Sequence, residues 1–312
     1  MKRLPLPVSG RTSPRLTVLL SPLLWLALLL ALPACQSTNR LREAQDAFNS
    51  AASQDNRARL AELRLSSTPT GLSSGWNQSP GVSLDRDIVG SVSSRAGYAA
   101  ALLSLDQLTS EDVAQLKDDK LWGTALTLKA MTQWRLGQFD DALNTAREAG
   151  ESATGQIYPR DAALLAALPG LIEIDYAYAQ LTDFRANPTN ASAVLDTWRQ
   201  RLVAVQATPP SAVDHLQQAR EKAGAEGELA VYLTLSQLAA YRNFSEFYKA
   251  AMNSTPPAND PARDQAGYAL YELDQLVTQL NGGPAGTELV NAWKNRFVIT
   301  PKPRPLIPDA GP

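Results

Sequence analysis

The sequence carries one cysteine, one histidine, three methionines and only six isoleucines among its 312 residues. A single cysteine excludes a disulfide scaffold within the chain. Cys35 and His215 are the whole supply of thiolate and imidazole groups, so clustered zinc sites and a Cys–His nucleophile pair are poorly supported. The few isoleucines stand against 47 alanines and 46 leucines. Ala and Leu lead the helix propensities, whereas sheets prefer β-branched residues, so the composition predicts an all-α fold. Formal net charge is only −2. Nothing in that balance favours nucleic acid or an anionic surface.

What is present is concentrated first at the N-terminus. Lys2, Arg3, Arg11 and Arg15 form a basic start, and Leu16 to Leu32 follows as an uncharged, Leu-rich run. At 17 residues, interrupted by Pro22, this run sits at the lower limit for spanning a bilayer and reads instead as an export signal. It ends in Leu32-Pro33-Ala34-Cys35.

These four residues resemble the lipobox of bacterial lipoproteins, with Pro33 departing from the usual small residue. The resemblance implies cleavage before Cys35, a diacylglycerol on its sulfur and an acyl chain on its new amine. Several chains make a stable anchor, since each buried CH₂ contributes about 0.8 kcal/mol and one chain alone is marginal. Gln36 rather than Asp after the cysteine implies, for a Gram-negative source, the periplasmic face of the outer membrane. Removal of residues 1–34 takes four positive charges and moves the net charge from −2 to −6.

Beyond Cys35 the apolar spacing is helical with short breaks. Leu41, Ala44, Ala47, Phe48 and Ala51 form a stripe within an N-terminal segment, 35–65. Residues 66–94 are rich in Ser, Gly and Pro and read as a long loop. Residues 95–299 read as a helical domain, and its breaks include Gly137, Pro209-Pro210 and Asn281-Gly282-Gly283-Pro284. Glu228–Tyr241 and Ser245–Met252 are predicted as two separate helices. The tail, 300–312, holds five of the 21 prolines and is predicted to be extended or unstructured.

Within the helical domain, Gly137, Phe139, Ala142 and Ala149, with Ala130 upstream, resemble a tetratricopeptide repeat, a helix–turn–helix unit of roughly 34 residues. Ala146 replaces that family's next aromatic and Lys129 its leucine. Ala44, Phe48 and Ala51 echo the back half of the unit, and Tyr241 to Phe247 echoes it more weakly. The resemblance implies antiparallel helix pairs in a right-handed, partly degenerate array. It also implies a concave binding face, on which Thr124, Thr127, Met131, Trp134 and Arg135 would lie.

Catalytic constellations are sparse. Glu151-Ser152 resembles the Glu-Ser pair of helical lytic transglycosylases, but the residues that follow lack that family's Gly-Leu-Met-Gln-type segment. Gly224–Gly227 and Gly282-Gly283 lack the lysine and hydroxyl of a phosphate loop. The sequence therefore predicts a non-enzyme without metal or cofactor, apart from lipid on Cys35. Its expected role is a lipid-anchored scaffold that binds an envelope protein or peptide and no nucleic acid. The alternatives are a small-ligand lipoprotein that cooperates with a transporter, or a peptidoglycan-related enzyme.

Overall fold

The computed structural model describes residues 37–55, 92–223 and 227–304, and among them there are helices and no strand. The chain is all-α, as its composition requires. The segment read as an export signal, Cys35, most of residues 66–94 and the tail beyond 304 lie outside the described residues.

The helices are α1 (37–55), α2 (Val92–Asp106), α3 (Ser110–Asp118), α4 (Trp122–Arg135), α5 (Phe139–Ser152), α6 (Pro159–Ala186) and α7 (Ala191–Trp198). After α7 the chain adds a π-helical turn, Arg199–Val203, then α8 (Ala212–Ala223), α9 (Glu228–Met252), α10 (Pro261–Gln279) and α11 (Gly283–Phe297). Their starts follow local chemistry. Thr109 caps α3 in a reciprocal box with Asp112. Asp260 caps α10 through the Ala262 amide. Pro159 and Pro261 open α6 and α10, where a missing N–H costs nothing.

Two groups of helices share one continuous core. In the first, α1 and α2 lie antiparallel. Phe48 meets Tyr98 edge to face at 5.0 Å, and Gly97 lets the two backbones close on Ala47 and Ala51. The α4–α5 pair turns at Gly137, whose φ of +80° suits glycine. Ala130, Ala142 and Ala149 are fully buried along that pair, with Phe139 packed beside them.

In the second group, α6, α8, α9 and α10 pack together. Helix α6 runs through Pro169 without a break, and Gly170 brings its backbone against Ala212 of α8. It is long and apolar enough to cross a membrane, yet half of its most apolar stretch is buried inside the bundle.

Helix α9 corrects the expectation of two helices at 228–252, and the echo of a turn at Tyr241–Phe247 with it. From Leu229 to Phe244 every residue is buried, so this is the central rod of the bundle. A helix apolar on most sides belongs inside, and each fully buried Leu, Val or Phe there contributes roughly 1.5–3 kcal/mol. No Gly or Pro lies between Glu228 and Met252 to break it. Asn243 fixes its angle by donating to the Ile174 carbonyl of α6 at 2.8 Å.

Candidate functional site

The residues expected to face a groove lie elsewhere. Thr127, Met131 and Trp134 are at most 2% exposed, and Arg135 is 8% exposed. This corrects the groove assignment for these four. The physical reason is that α1, α2 and α6 cover the face of α4 that a repeat array would leave open. Thr124 is half-buried and donates to the Asp161 carboxylate of α6 at 2.7 Å.

Arg135 forms a closed polar knot there. Its Nη2 binds Asp55 of α1, and its Nε donates to the Tyr98 hydroxyl at 3.3 Å. Tyr98 donates in turn to Asp55 at 2.6 Å. The guanidinium also stacks on Trp134 and Tyr98, 5.0 and 5.4 Å from the ring centres. Burial alone would push Arg135 down. The Tyr98, Asp55 and Asp175 groups outweigh it and hold the pKa above the ordinary guanidinium value. Burial likewise pushes the Tyr98 hydroxyl up.

The carboxyl of Asp161 is raised, chiefly by burial, with Thr124 and Arg160 pulling against it. It is held inside the α4–α6 contact rather than presented to a cleft. Glu151 and Ser152 are exposed at the end of α5, where Ser152 accepts from the Trp122 indole at 3.2 Å. Burial lowers His215. No cluster of His, Cys, Asp or Glu suited to a metal occurs among the described residues.

Among the described residues, a cavity of about 250 Å³ combines an apolar floor with a few polar groups. Its floor comes from Tyr241 and Phe244 of α9 and from Ala262 and Ala266, one turn apart on α10. The two alanines create the space that longer side chains would fill. Pro256, Val298 and Ile299 close the sides, and Ser245, Thr255, Arg263 and Arg296 supply the polar lining. Every charged residue in that lining is cationic. Arg263 clips the two border segments together by donating to Pro256 O at 3.2 Å and Val298 O at 3.0 Å.

Two features set the geometry of the rim. Arg199 makes a two-pronged bond to Asp260 at 2.8 and 2.7 Å and lies 4.6 Å over the Phe244 ring. That pairing fixes the start of α10 against α9. Val298 has φ +52° and is 79% exposed. A β-branched residue in the left-handed region is strained, and an exposed apolar side chain at a cavity mouth adds solvent cost.

Sequence reading missed this cavity because its parts come from 241 to 299 without a motif. The one legible signal was the small-residue spacing of Ala262 and Ala266, which occurs in many core helices. Fold and site together define an all-helical protein with an amphipathic, cation-lined cavity. No protein family matches the chain, and neither does any curated protein or solved structure.

Proposed function

We propose that this is an exported, lipid-anchored binding protein of the cell envelope that holds a small amphipathic anion. The observation that carries the reading is the cavity beneath α9 and α10, with its aromatic and aliphatic floor and cationic rim. Ligand sites combine a largely apolar lining with a few placed polar groups. Strain retained at Val298, at the mouth, is of the kind that persists where it serves a site. Burial of Thr127, Met131, Trp134 and Arg135 removes the surface a peptide groove on α4 would need. The small-ligand role, in cooperation with a membrane transporter, is therefore preferred to a protein scaffold.

The α4–α5 pair is read as tetratricopeptide-like. Support comes from the left-handed Gly137 turn and the full burial of Ala130, Ala142 and Ala149. The anchor reading rests on Leu32-Pro33-Ala34-Cys35 and the run before it, with lipid on Cys35 fixing the body to the periplasmic face of the outer membrane.

Two measurements test the reading. Cys35→Ala should release the protein from the membrane fraction; unchanged attachment would sink the anchor. The anionic, aromatic fluorophore anilinonaphthalene sulfonate should bind the full chain at one site. Ser245→Leu should block it by filling the cavity. Binding that ignores Ser245→Leu would remove the cavity from the function.

A further inference from the structure

The cavity wall continues into the tail. Val298 and Ile299 close one side of the cavity, and the chain then runs on over α10 as far as Arg304. Val298 is the fixed end. Its amide donates to Lys294 O at 3.0 Å, and its carbonyl accepts from Arg263 at 3.0 Å. Beyond it, Gly267 lets the segment lie close. A Cβ there would stand 3.3 Å from the Thr300 carbonyl oxygen and 3.5 Å from Ile299 Cγ2. The backbone is pinned where the Lys302 amide donates to Gly267 O at 3.2 Å. Pro301 and Pro303 on either side have no N–H to add.

Side chains supply the rest of the hold, and it is mostly ionic. Lys302 Nζ lies 2.5 Å from the Asp264 carboxylate, and Arg304 Nε donates to Glu272 at 2.9 Å. Arg304 Nη1 donates to Gln265 at 3.2 Å. Both cations also sit over the Tyr268 ring, at 5.2 and 5.6 Å from its centre. The four side chains of the two ion pairs are 22–47% exposed. Pairs so exposed contribute little each and are screened by salt. Glu272 keeps a second partner in Arg220 of α8, so it is not left unpaired when Arg304 leaves. A segment held by one backbone bond and by screened charges belongs to the low-stability end of a fold, where local opening takes place. The cavity floor is core by contrast, with Ala266 only 1% exposed.

We propose that residues 299–304 form an electrostatic strap on α10 that gates the cavity, swinging out from Val298 and closing again through Lys302 and Arg304. The proposal rests on the reading of the cavity as the ligand site, and it adds how that site is entered. Opening withdraws Ile299 from the wall, while the Arg263 clip keeps Val298 in place. Ionic strength therefore sets how often the cavity is open.

The test places a thiol in the cavity floor. In the full chain carrying Cys35→Ala, Ala266→Cys puts the one thiol against the cavity, and the uncharged reagent N-ethylmaleimide reads its access. Labelling should quicken as sodium chloride is raised. Lys302→Gln with Arg304→Gln should quicken it about tenfold at low salt, the effect of losing two exposed ion pairs together, and should make it indifferent to salt. Both substitutions lie outside the helices, and circular dichroism would check that the bundle is intact. Lys302→Arg with Arg304→Lys keeps both charges and should keep labelling slow. Asp106→Asn, which breaks the exposed 2.7 Å pair with Lys129, should change nothing. Ala142→Cys, fully buried between α4 and α5, should label no faster in the double variant. A rise at both thiols would be general loosening and would overturn the strap. So would labelling at Ala266→Cys that ignores salt and the double variant alike. Anilinonaphthalene sulfonate keeps the two readings apart, since it should leave the double variant about tenfold faster. A gated thiol in a chain that binds no fluorophore would sink the ligand reading and leave the strap standing.

Discussion

Arg135 on α4 reaches Asp55 at the end of α1, 80 residues earlier in the chain, with both side chains 1% exposed. The pair makes α1 an integral part of the fold. A charge taken this far from water persists only when its partner is in place, and Tyr98 supplies a further bond to each member.

Removing one member should therefore be costly. Asp55→Ala or Arg135→Ala should each lose about 3–5 kcal/mol in urea unfolding, because the other charge stays buried and unpaired. Asp55→Leu with Arg135→Met should recover most of that loss. A double variant as unstable as either single one would mean that the knot supplies more than mutual neutralisation.

Two glycines inside helices should respond in opposite directions. A Cβ on Gly170 would lie 2.7 Å from the Ala212 carbonyl oxygen and 3.1 Å from the His215 Cβ. Gly170→Ala should thus lose about 1–3 kcal/mol by forcing α6 and α8 apart. Around Gly150 nothing lies within 4 Å, so Gly150→Ala should gain about 0.8–1 kcal/mol from helix propensity alone. Thermal midpoints of the two variants should move apart from that of the parent.

Asp260 should make stability depend on acid pH. Burial pushes its carboxyl up, but the Arg199 hydrogen bonds and the Ala262 amide outweigh this and hold it below the ordinary value of 3.8. A depressed folded value means that the unfolded chain takes up the proton first. The stabilisation is complete above about pH 4 and is lost as pH falls through the folded value. Arg199→Gln should lower the urea midpoint at pH 7 and flatten its decline below pH 4. Parallel pH profiles for parent and variant would mean that the pair contributes nothing.

Val298 should be replaceable at a gain. Asn tolerates φ near +50° far better than a β-branched residue, so Val298→Asn should stabilise by about 1 kcal/mol. The same change removes an apolar wall, so binding of the anionic fluorophore should weaken. Gain in stability together with undiminished binding would separate the strain from the site.

Much of the secondary structure was legible because it is local. The break at Gly137 falls where α5 begins, two residues on at Phe139. The α9 rod was misread at Tyr241–Phe247, where aromatic spacing imitates a repeat turn, while burial on all sides keeps the helix straight on. Trp134 and Arg135 have the chemistry of a binding surface, and only the covering helices make them core.

An all-helical chain is written in the composition: alanine and leucine in place of isoleucine decide local backbone preference, and that needs no partner. The lipobox-like tetrapeptide that ends in Cys35, after its Leu-rich run, is likewise local. Which faces are open is a matter of packing between helices distant in sequence. Side-chain burial depends on what packs opposite, so Asp55 could turn Arg135 from groove to core. In the same way Ala262, Phe244 and Val298, distant in sequence, became the walls of one cavity.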